Sequence, residues 1–236
     1  MLGRQVTNQL VSRNLHVIGF VHSASHGFDD SKYGDLLTVI QLDLANLESV
    51  STLIESLIKD DQGPSAVYFC ARGKLVLDET LRTAKSLHTE FLDDYLITIL
   101  SPALISLKLI DKAIRLKKIV FLSSQYAQVA QAKSLYANPE MAISSTYSAL
   151  KGAVISLVRA LSVKAIVKGI NVNVFSIGGI RESTDALLAQ EIEQVIPLGK
   201  MLSAAEVANA VVQISEVFEP GMVGSNIVID GGWTIV

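Results

Sequence analysis

A tyrosine and a lysine four residues apart are the strongest candidates for chemistry in this chain of 236 residues. Tyr147 and Lys151 lie in the segment STYSALKGAV, and residues at this spacing share one face of a helix. A lysine ammonium there would favour the tyrosinate and lower the tyrosine pKa from its usual value of about 10. The pair predicts a tyrosine that exchanges a proton with a hydroxyl or carbonyl group. An exposed tyrosine beside a solvated lysine would have the same spacing.

Ser124 is a second candidate because it ends the apolar segment KIVFLSS, which has the composition of a buried strand. In parallel sheets, ligands bind in the crevice at the carboxyl ends of the strands. A serine hydroxyl at that edge could hold an oxyanion that develops on a substrate carbonyl. Ser124, Tyr147 and Lys151 together therefore predict a site that acts on a carbonyl or alcohol.

The elements that must position these residues alternate along the chain. Apolar patterning predicts strands over residues 15–21, 37–44, 65–70, 118–124, 170–177 and 225–230. Helical spacing predicts helices at the start of the chain, after Asn46, over 89–115 with a bend at Pro102, over 146–168, and from Ser203 to about Phe218. This alternation predicts an α/β fold with a doubly wound, mostly parallel sheet, in a single domain spanning residues 1–236.

Composition excludes several classes of partner. The net charge of −3 argues against a nucleic-acid partner, which a basic face would bind. The most apolar stretch, residues 96–110, is interrupted by polar side chains, so we expect no membrane span and a cytoplasmic location. A single cysteine and four histidines without ligand spacing predict no metal site.

On these residues, the chain resembles the short-chain dehydrogenase/reductase family. The segments IVFLSS, YSALK, INVNVFSIGGI, IPLGKMLSAAEVANAVV and GSNIVIDGGWT follow the order and approximate spacing typical of that family. The resemblance implies a Rossmann-like fold and NAD(P)-dependent hydride transfer on a small-molecule carbonyl or alcohol substrate. Tyr147 would be the acid/base, Ser124 would orient the carbonyl, and Lys151 would hold the nicotinamide ribose. Thr98 stands where the family has an asparagine that holds a water of the proton relay.

The same resemblance implies a set of cofactor-binding residues. Asp43 would touch the adenine ring, and Gly178 would keep a small residue beside the nicotinamide. His22 stands where an aspartate would select NAD(H), which favours NADP over NAD slightly, although a loop histidine without a role is equally compatible. The full set is Gly3, His22, Asp43, Leu44, Cys70, Ala71, Tyr147, Lys151, Ile177, Gly178 and Ile180.

Several positions depart from the family pattern. Phe69 and Cys70 stand where asparagines would support the central strand, and Ile177 replaces a proline. Aligning the last glycine of the family's glycine-rich turn with Gly3 places Met1 on the middle glycine. We therefore expect a sequence truncated at its N-terminus relative to the family, without the first central strand. A decayed or rearranged family member is the other interpretation.

Substrate and assembly are predicted less sharply. The stretch between Ser124 and Tyr147 is longer than is usual in the family and resembles oxidoreductases of nonulosonic-acid and flagellin-glycan pathways, which implies a sugar or sugar nucleotide. Two alternatives remain: a catalytically silent binding or assembly partner, and a nucleotide-sugar-binding module without redox chemistry. The resemblance also implies a homodimer or homotetramer, formed through the helices from Thr89 and Thr146 and the apolar C-terminal segment WTIV.

Overall fold

The computed structural model describes residues 1–23, 30–59, 63–73, 84–131 and 145–236. Its helices are α1 (Leu2–Val11), α2 (Asp30–Tyr33), α3 (Leu47–Lys59), α4 (Ala84–Tyr95), α5 (Ser101–Lys112), α6 (Ser145–Ala165), α7 (Ala186–Val195) and α8 (Ala204–Glu216). Its strands are β1 (Val17–Val21), β2 (Leu37–Gln41), β3 (Ala66–Phe69), β4 (Lys118–Ser124), β5 (Asn171–Ile177) and β6 (Asn226–Ile229). A π-helical segment, Leu96–Leu100, joins α4 to α5.

All described strand pairs are parallel, and they form two ladders. The larger sheet has the order β3-β4-β5-β6, and β1 pairs with β2 in a separate sheet. No strand among the described residues pairs with both ladders. The predicted α/β fold with parallel strands joined by helices is confirmed.

β4 and β5 form the centre of the larger sheet and are covered on both faces. Successive side chains of a strand point to opposite faces, so Ile119 and Phe121 pack with α6, whereas Val120 and Leu122 pack with α8. These four side chains are buried. Burial on both faces explains why the central strands are continuous apolar runs instead of alternating patterns.

Helices connect the two-stranded sheet to the rest of the molecule. Val50 and Ile54 of α3, which follows β2, share one core cluster with Leu109 and Ile110 of α5. α1, which precedes β1, packs on α8 through a smaller cluster that contains Val6 and Ala208. The strands β1 and β2 are thus held to the larger sheet through flanking helices.

The ends of several elements differ from the predicted ones for local reasons. β2 ends at Gln41, because the Asp43 carboxylate accepts a hydrogen bond from the Ala45 amide at 2.9 Å and forms a turn. Asn46 then caps α3, accepting from the Ser49 amide at 3.0 Å. The helix predicted over 89–115 is interrupted by the π-helical segment. Pro102 lies in the first turn of α5, directly after the π-helical segment.

Candidate active site

Ser124 ends β4 at the edge where the site forms. Its side chain is buried, and its Oγ accepts a hydrogen bond from the Tyr126 amide at 3.3 Å. That bond caps a short 3-10 turn, Gln125–Ala127, which turns the chain away from the sheet. The Ser124 side chain is also hydrogen-bonded to Tyr147. The structure therefore brings two of the predicted catalytic residues into direct contact.

Lys151 lies one helical turn beyond Tyr147 on α6. Its Nζ is 5.7 Å from the centroid of the Tyr147 ring and donates to the Leu122 carbonyl at 3.3 Å. The Ser123 hydroxyl donates to the Lys151 carbonyl at 2.7 Å and fixes this turn of α6 against β4. Only 5% of Lys151 is exposed. Ser124, Tyr147 and Lys151 thus form one cluster across a strand and a helix.

The electrostatics of this cluster correct one prediction. The pKa of Tyr147 is raised, mainly because burial disfavours the tyrosinate, while the hydrogen bond from Ser124 and the charge of Arg72 act in the opposite direction. The prediction that Lys151 lowers the pKa of Tyr147 below its usual value is therefore wrong. Lys151 donates to a backbone carbonyl, and burial lowers its own pKa to about 8.

Thr98 occupies the middle of the π-helical segment and is buried. This segment contacts α6, the helix that carries Tyr147 and Lys151. Single π-helical turns are rare in proteins, and many of those that occur lie at functional sites. Ser101, at the start of α5, donates to the Leu44 carbonyl and so ties the end of β2 to the same region.

The turn after β5 leaves bare backbone beside the end of β4. A Cβ on Gly178 would lie 2.7 Å from the Asp230 Cα and 3.2 Å from the Gln125 Oε1, so a side chain does not fit. The Asp230 carboxylate in turn accepts from the amides of Gly232 at 2.9 Å and Thr234 at 2.8 Å. Of the flanking predicted residues, Ile177 is buried and Ile180 forms a parallel bridge with Leu202.

The start of α1 packs against the end of β3. A Cβ on Gly3 would lie 3.2 Å from the Cβ of Cys70, and Ala71 next to it is exposed. Burial raises the pKa of the Cys70 thiol to about 12, which makes it a packing group. Phe69 packs on Phe121 with ring centroids 4.7 Å apart, an apolar contact where the family pattern has a polar support.

The predicted residues on the two-stranded sheet also follow their strands. His22 is exposed after β1, and its carbonyl accepts from the Gln41 side chain at 3.2 Å. Asp43 is exposed after β2, while Leu44 packs against the main core. Most of the long stretch between Ser124 and Tyr147, residues 132–144, lies outside the described residues.

Sequence reasoning assigned no role to two charged residues near the cluster. Arg72 and Asp94 both act electrostatically on Tyr147 and on Lys151. A Cβ on Gly73 would overlap the Asp94 Oδ1, so the chain that follows β3 passes directly against this carboxylate. Arg72 could have been given a role, since it follows a strand. Asp94 could not, because only tertiary packing brings it to the site.

The described part of the chain contains no helix long and apolar enough to cross a membrane. Within the same residues, no three potential metal ligands lie together.

In the comparisons with known proteins, the family model and the curated relatives that match this chain are described as reductases. A family model described as enoyl-(acyl carrier protein) reductase matches residues 30–234. The chain is 37% identical to human 3-oxoacyl-[acyl-carrier-protein] reductase over 93 residues, which are 39% of this chain and 38% of that protein. It is 38% identical to the rat protein of the same name over 89 residues, 37% of each chain. The matched stretch thus spans less than two fifths of these relatives.

Solved structures with the same fold cover the chain more completely. A 4-hydroxyisoleucine dehydrogenase complexed with NADH superposes with a TM-score of 0.82 over 100% of this chain and 95% of its own, at 22% identity. A short-chain dehydrogenase from Leptospira borgpetersenii with bound NAD+ has a TM-score of 0.85 over 99% of this chain and 88% of its own, also at 22% identity. At this identity, the likeness supports the fold alone.

Proposed function

Because the chain belongs to the short-chain dehydrogenase/reductase family, we propose that it interconverts a secondary alcohol and a ketone with NAD or NADP as cofactor. One observation carries this proposal. The side chains of Ser124 and Tyr147 are hydrogen-bonded at the carboxyl end of β4, and Lys151 lies within one turn of them. A proton donor, an oxygen-binding hydroxyl and a cation therefore meet at one point.

The raised pKa of Tyr147 determines the protonation state of the phenol in the free protein. At neutral pH the phenol is protonated, so it can donate to the oxygen of a ketone as the alcohol forms. The Ser124 hydroxyl is placed to hold that same oxygen. A bound nicotinamide dinucleotide supplies the hydride in this direction. Lys151, with a pKa of about 8, is mostly charged at neutral pH, and its Nζ lies 5.7 Å from the centroid of the Tyr147 ring.

The residues present fit one end of a dinucleotide well. At the nicotinamide end, Gly178 packs too closely on Asp230 to carry a side chain and so presents bare backbone, and Lys151 would hold the ribose hydroxyls. At the pyrophosphate end, the start of α1 supplies first-turn amides, which favour anions. Gly3 is the only glycine there in the described chain. We expect the affinity for the dinucleotide to come mainly from the nicotinamide end.

Titration of the full chain with NADH and NADPH, followed by turnover assays, tests the proposal. The assays would use acetoacetyl-coenzyme A, because of the 3-oxoacyl relatives, and a keto-sugar nucleotide, because of the inserted stretch. NADPH should bind slightly more tightly than NADH if His22 sets the preference. Saturable binding below about 1 mM supports an enzyme. Without such binding, the catalytically silent partner becomes the better account, and sugar-nucleotide binding without any dinucleotide would indicate a binding module.

Tyr147→Phe is the decisive variant. It removes the proton donor but keeps the ring, so we expect kcat to fall by about 10² to 10⁴ with little change in melting temperature. Tyr33→Phe, which removes a phenol that donates to Asn8 of α1, is the matched control and should keep activity. Equal turnover by Tyr147→Phe and the wild type would overturn the proposal.

We also propose that the working protein carries a further parallel strand, which pairs with β1 and β3. Two observations support this. In the described residues, β1 pairs only with β2, and β3 only with β4. On β1, Ile18 and Phe20 are 45% and 40% exposed, which is unusual for a strand of this fold. Expression with any in-frame upstream residues should raise the melting temperature and tighten NADH binding. An extended chain that gains neither would contradict the extra strand.

A homodimer or homotetramer is the expected assembly. Apolar side chains of α5 and of the C-terminus are exposed: Leu104, Leu107, Ile235 and Val236. Light scattering after size-exclusion chromatography should give two or four times the chain mass of 25.4 kDa. A monomeric mass would contradict this proposal.

A further inference from the structure

Arg72 is a cation at the mouth of the cluster with no assigned role. It lies three residues beyond the end of β3, and its side chain is exposed. None of the ion pairs in the described part of the chain involves it. A guanidinium with five donors, free at the carboxyl edge of a parallel sheet, is placed to bind a ligand.

The backbone next to Arg72 is held in place. Gly73 passes so close to the Asp94 carboxylate that a Cβ there would overlap its Oδ1. Asp94 belongs to α4, one turn before Thr98, so the arginine is anchored to the helix that leads into the π-helical segment. The side chain is exposed, while the backbone beside it lies against the helix that leads to Thr98.

The positive charge of Arg72 is close enough to the reacting groups to act on them. The Arg72 charge acts on both the Tyr147 hydroxyl and the Lys151 ammonium. Those two groups mark the end of the site where a substrate carbonyl must lie. The start of α1, which suits a pyrophosphate, instead contacts Cys70. An anion bound by Arg72 would therefore lie beside the reacting carbon and would relieve the repulsion between Arg72 and Lys151.

We propose that Arg72 binds an oxyanion of the substrate, a carboxylate or a phosphate, carried close to the reacting carbonyl. This inference rests on the proposed oxidoreductase function. Arginine holds such groups through two parallel hydrogen bonds, which fixes the orientation as well as the position of the ligand. Arg72 thus selects anionic ketones or alcohols over neutral ones of similar size.

Malonate binding tests the inference without turnover. The full chain, labelled with ¹⁵N in its arginine side chains, is titrated with malonate in the presence and absence of NADH. We expect saturable binding that Arg72→Gln weakens by about tenfold or more and Arg72→Lys only partly restores. Arg115→Gln removes another exposed arginine, just before the start of β4, and should bind like the wild type. Absent binding, or binding that Arg72→Gln leaves unchanged, overturns the inference.

A pair of ketones then shows whether the anion that Arg72 binds belongs to the substrate or to the cofactor. Acetoacetate and methyl acetoacetate differ in a carboxylate, so Arg72→Gln should raise KM for the acid by about tenfold, with kcat and the ester nearly unchanged. If Arg72→Gln instead weakens NADH binding by the same factor, the anion is the pyrophosphate and the inference is wrong. A wild-type chain that binds malonate but no dinucleotide would contradict the oxidoreductase function and not the role of Arg72.

Discussion

Lys151 is a cation in the interior of the protein, where burying a charge costs stability. It is 5% exposed, and burial lowers its pKa from 10.5 to about 8. Between those two values the unfolded chain holds a proton at this residue that the folded chain has lost. Stability from this group therefore rises with pH across the window, and below about pH 8 its full burial cost is present. The cluster thus lowers stability to hold a cation beside Tyr147.

Lys151→Met should remove that cost together with activity. The lowering of the Lys151 pKa from 10.5 to about 8 corresponds to about 3 kcal/mol, and loss of the hydrogen bond to Leu122 offsets about 1 kcal/mol, so the variant should be about 2 kcal/mol more stable at pH 7. Urea unfolding of both proteins measures this, and their difference should shrink as the pH rises from 8 towards 10.5. A variant less stable than the wild type at pH 7 would contradict the burial argument.

Two glycines near the site should respond to alanine in opposite directions. At Gly178 the new Cβ would lie 2.7 Å from the Asp230 Cα, so the backbone must move and we expect a loss of about 1 to 3 kcal/mol. At Gly152, inside α6, the nearest atom is 3.9 Å away, and alanine should gain about 0.5 to 1 kcal/mol. Chemical denaturation of both variants decides the matter. Equal changes in the free energy of unfolding would show that the contact with Asp230 does not destabilise the variant at Gly178.

The cluster of Ser124, Tyr147 and Lys151 could be predicted because its signals are local. Tyr147 and Lys151 share a helix face by spacing, and Ser124 ends an apolar run. The influence of Asp94 could not be predicted, since it depends on Gly73 bringing two distant segments together. The raised pKa of Tyr147 was missed for the same reason, because burial outweighs any neighbouring charge and is a property of the packed molecule.

At the scale of elements, the pattern of apolar residues predicts where helices and strands lie, and it misses interruptions. The helix predicted over 89–115 contains a π-helical segment at Leu96–Leu100, which a widened turn produces without any proline or glycine. α7 was not predicted, although Asp185 caps it and accepts from the Leu187 amide at 2.9 Å. Strands were predicted within one or two residues except where a side chain forms a turn, as at Asp43.

The start of α8 depends on a capping box, as the sequence predicts. The Ser203 Oγ accepts from the Glu206 amide, and the Glu206 carboxylate accepts from the Ser203 amide at 2.8 Å. Ser203→Ala should cost about 1 kcal/mol, because a first-turn amide loses its partner. Ser49→Ala, in the first turn of α3 with its cap on Asn46, is the control and should change stability little. Melting curves that are equally shifted would show that the box contributes nothing.

At the scale of the whole molecule, the pattern of apolar residues along the chain does not determine which strands pair with each other. Each strand was predicted as a segment, but the division into two ladders depends on which edges meet. Buried helices hold the two parts together: α3 against α5, and α1 against α8. The site itself uses mainly the larger sheet, whereas the residues expected at the adenine, Asp43 and Leu44, follow a strand of the smaller one.

The two sheets should therefore differ in local stability. Two-stranded sheets are marginal alone, and β1 exposes Ile18 and Phe20, whereas β4 and β5 are buried on both faces. Hydrogen exchange read by mass spectrometry should show the amides of β1 and β2 exchanging through local opening, well before those of β4 and β5. Saturating NADH should slow exchange in β2 if Asp43 contacts the dinucleotide. Equal protection of both ladders in the free chain would mean that packing through α3 and α1 alone makes the molecule one cooperative unit.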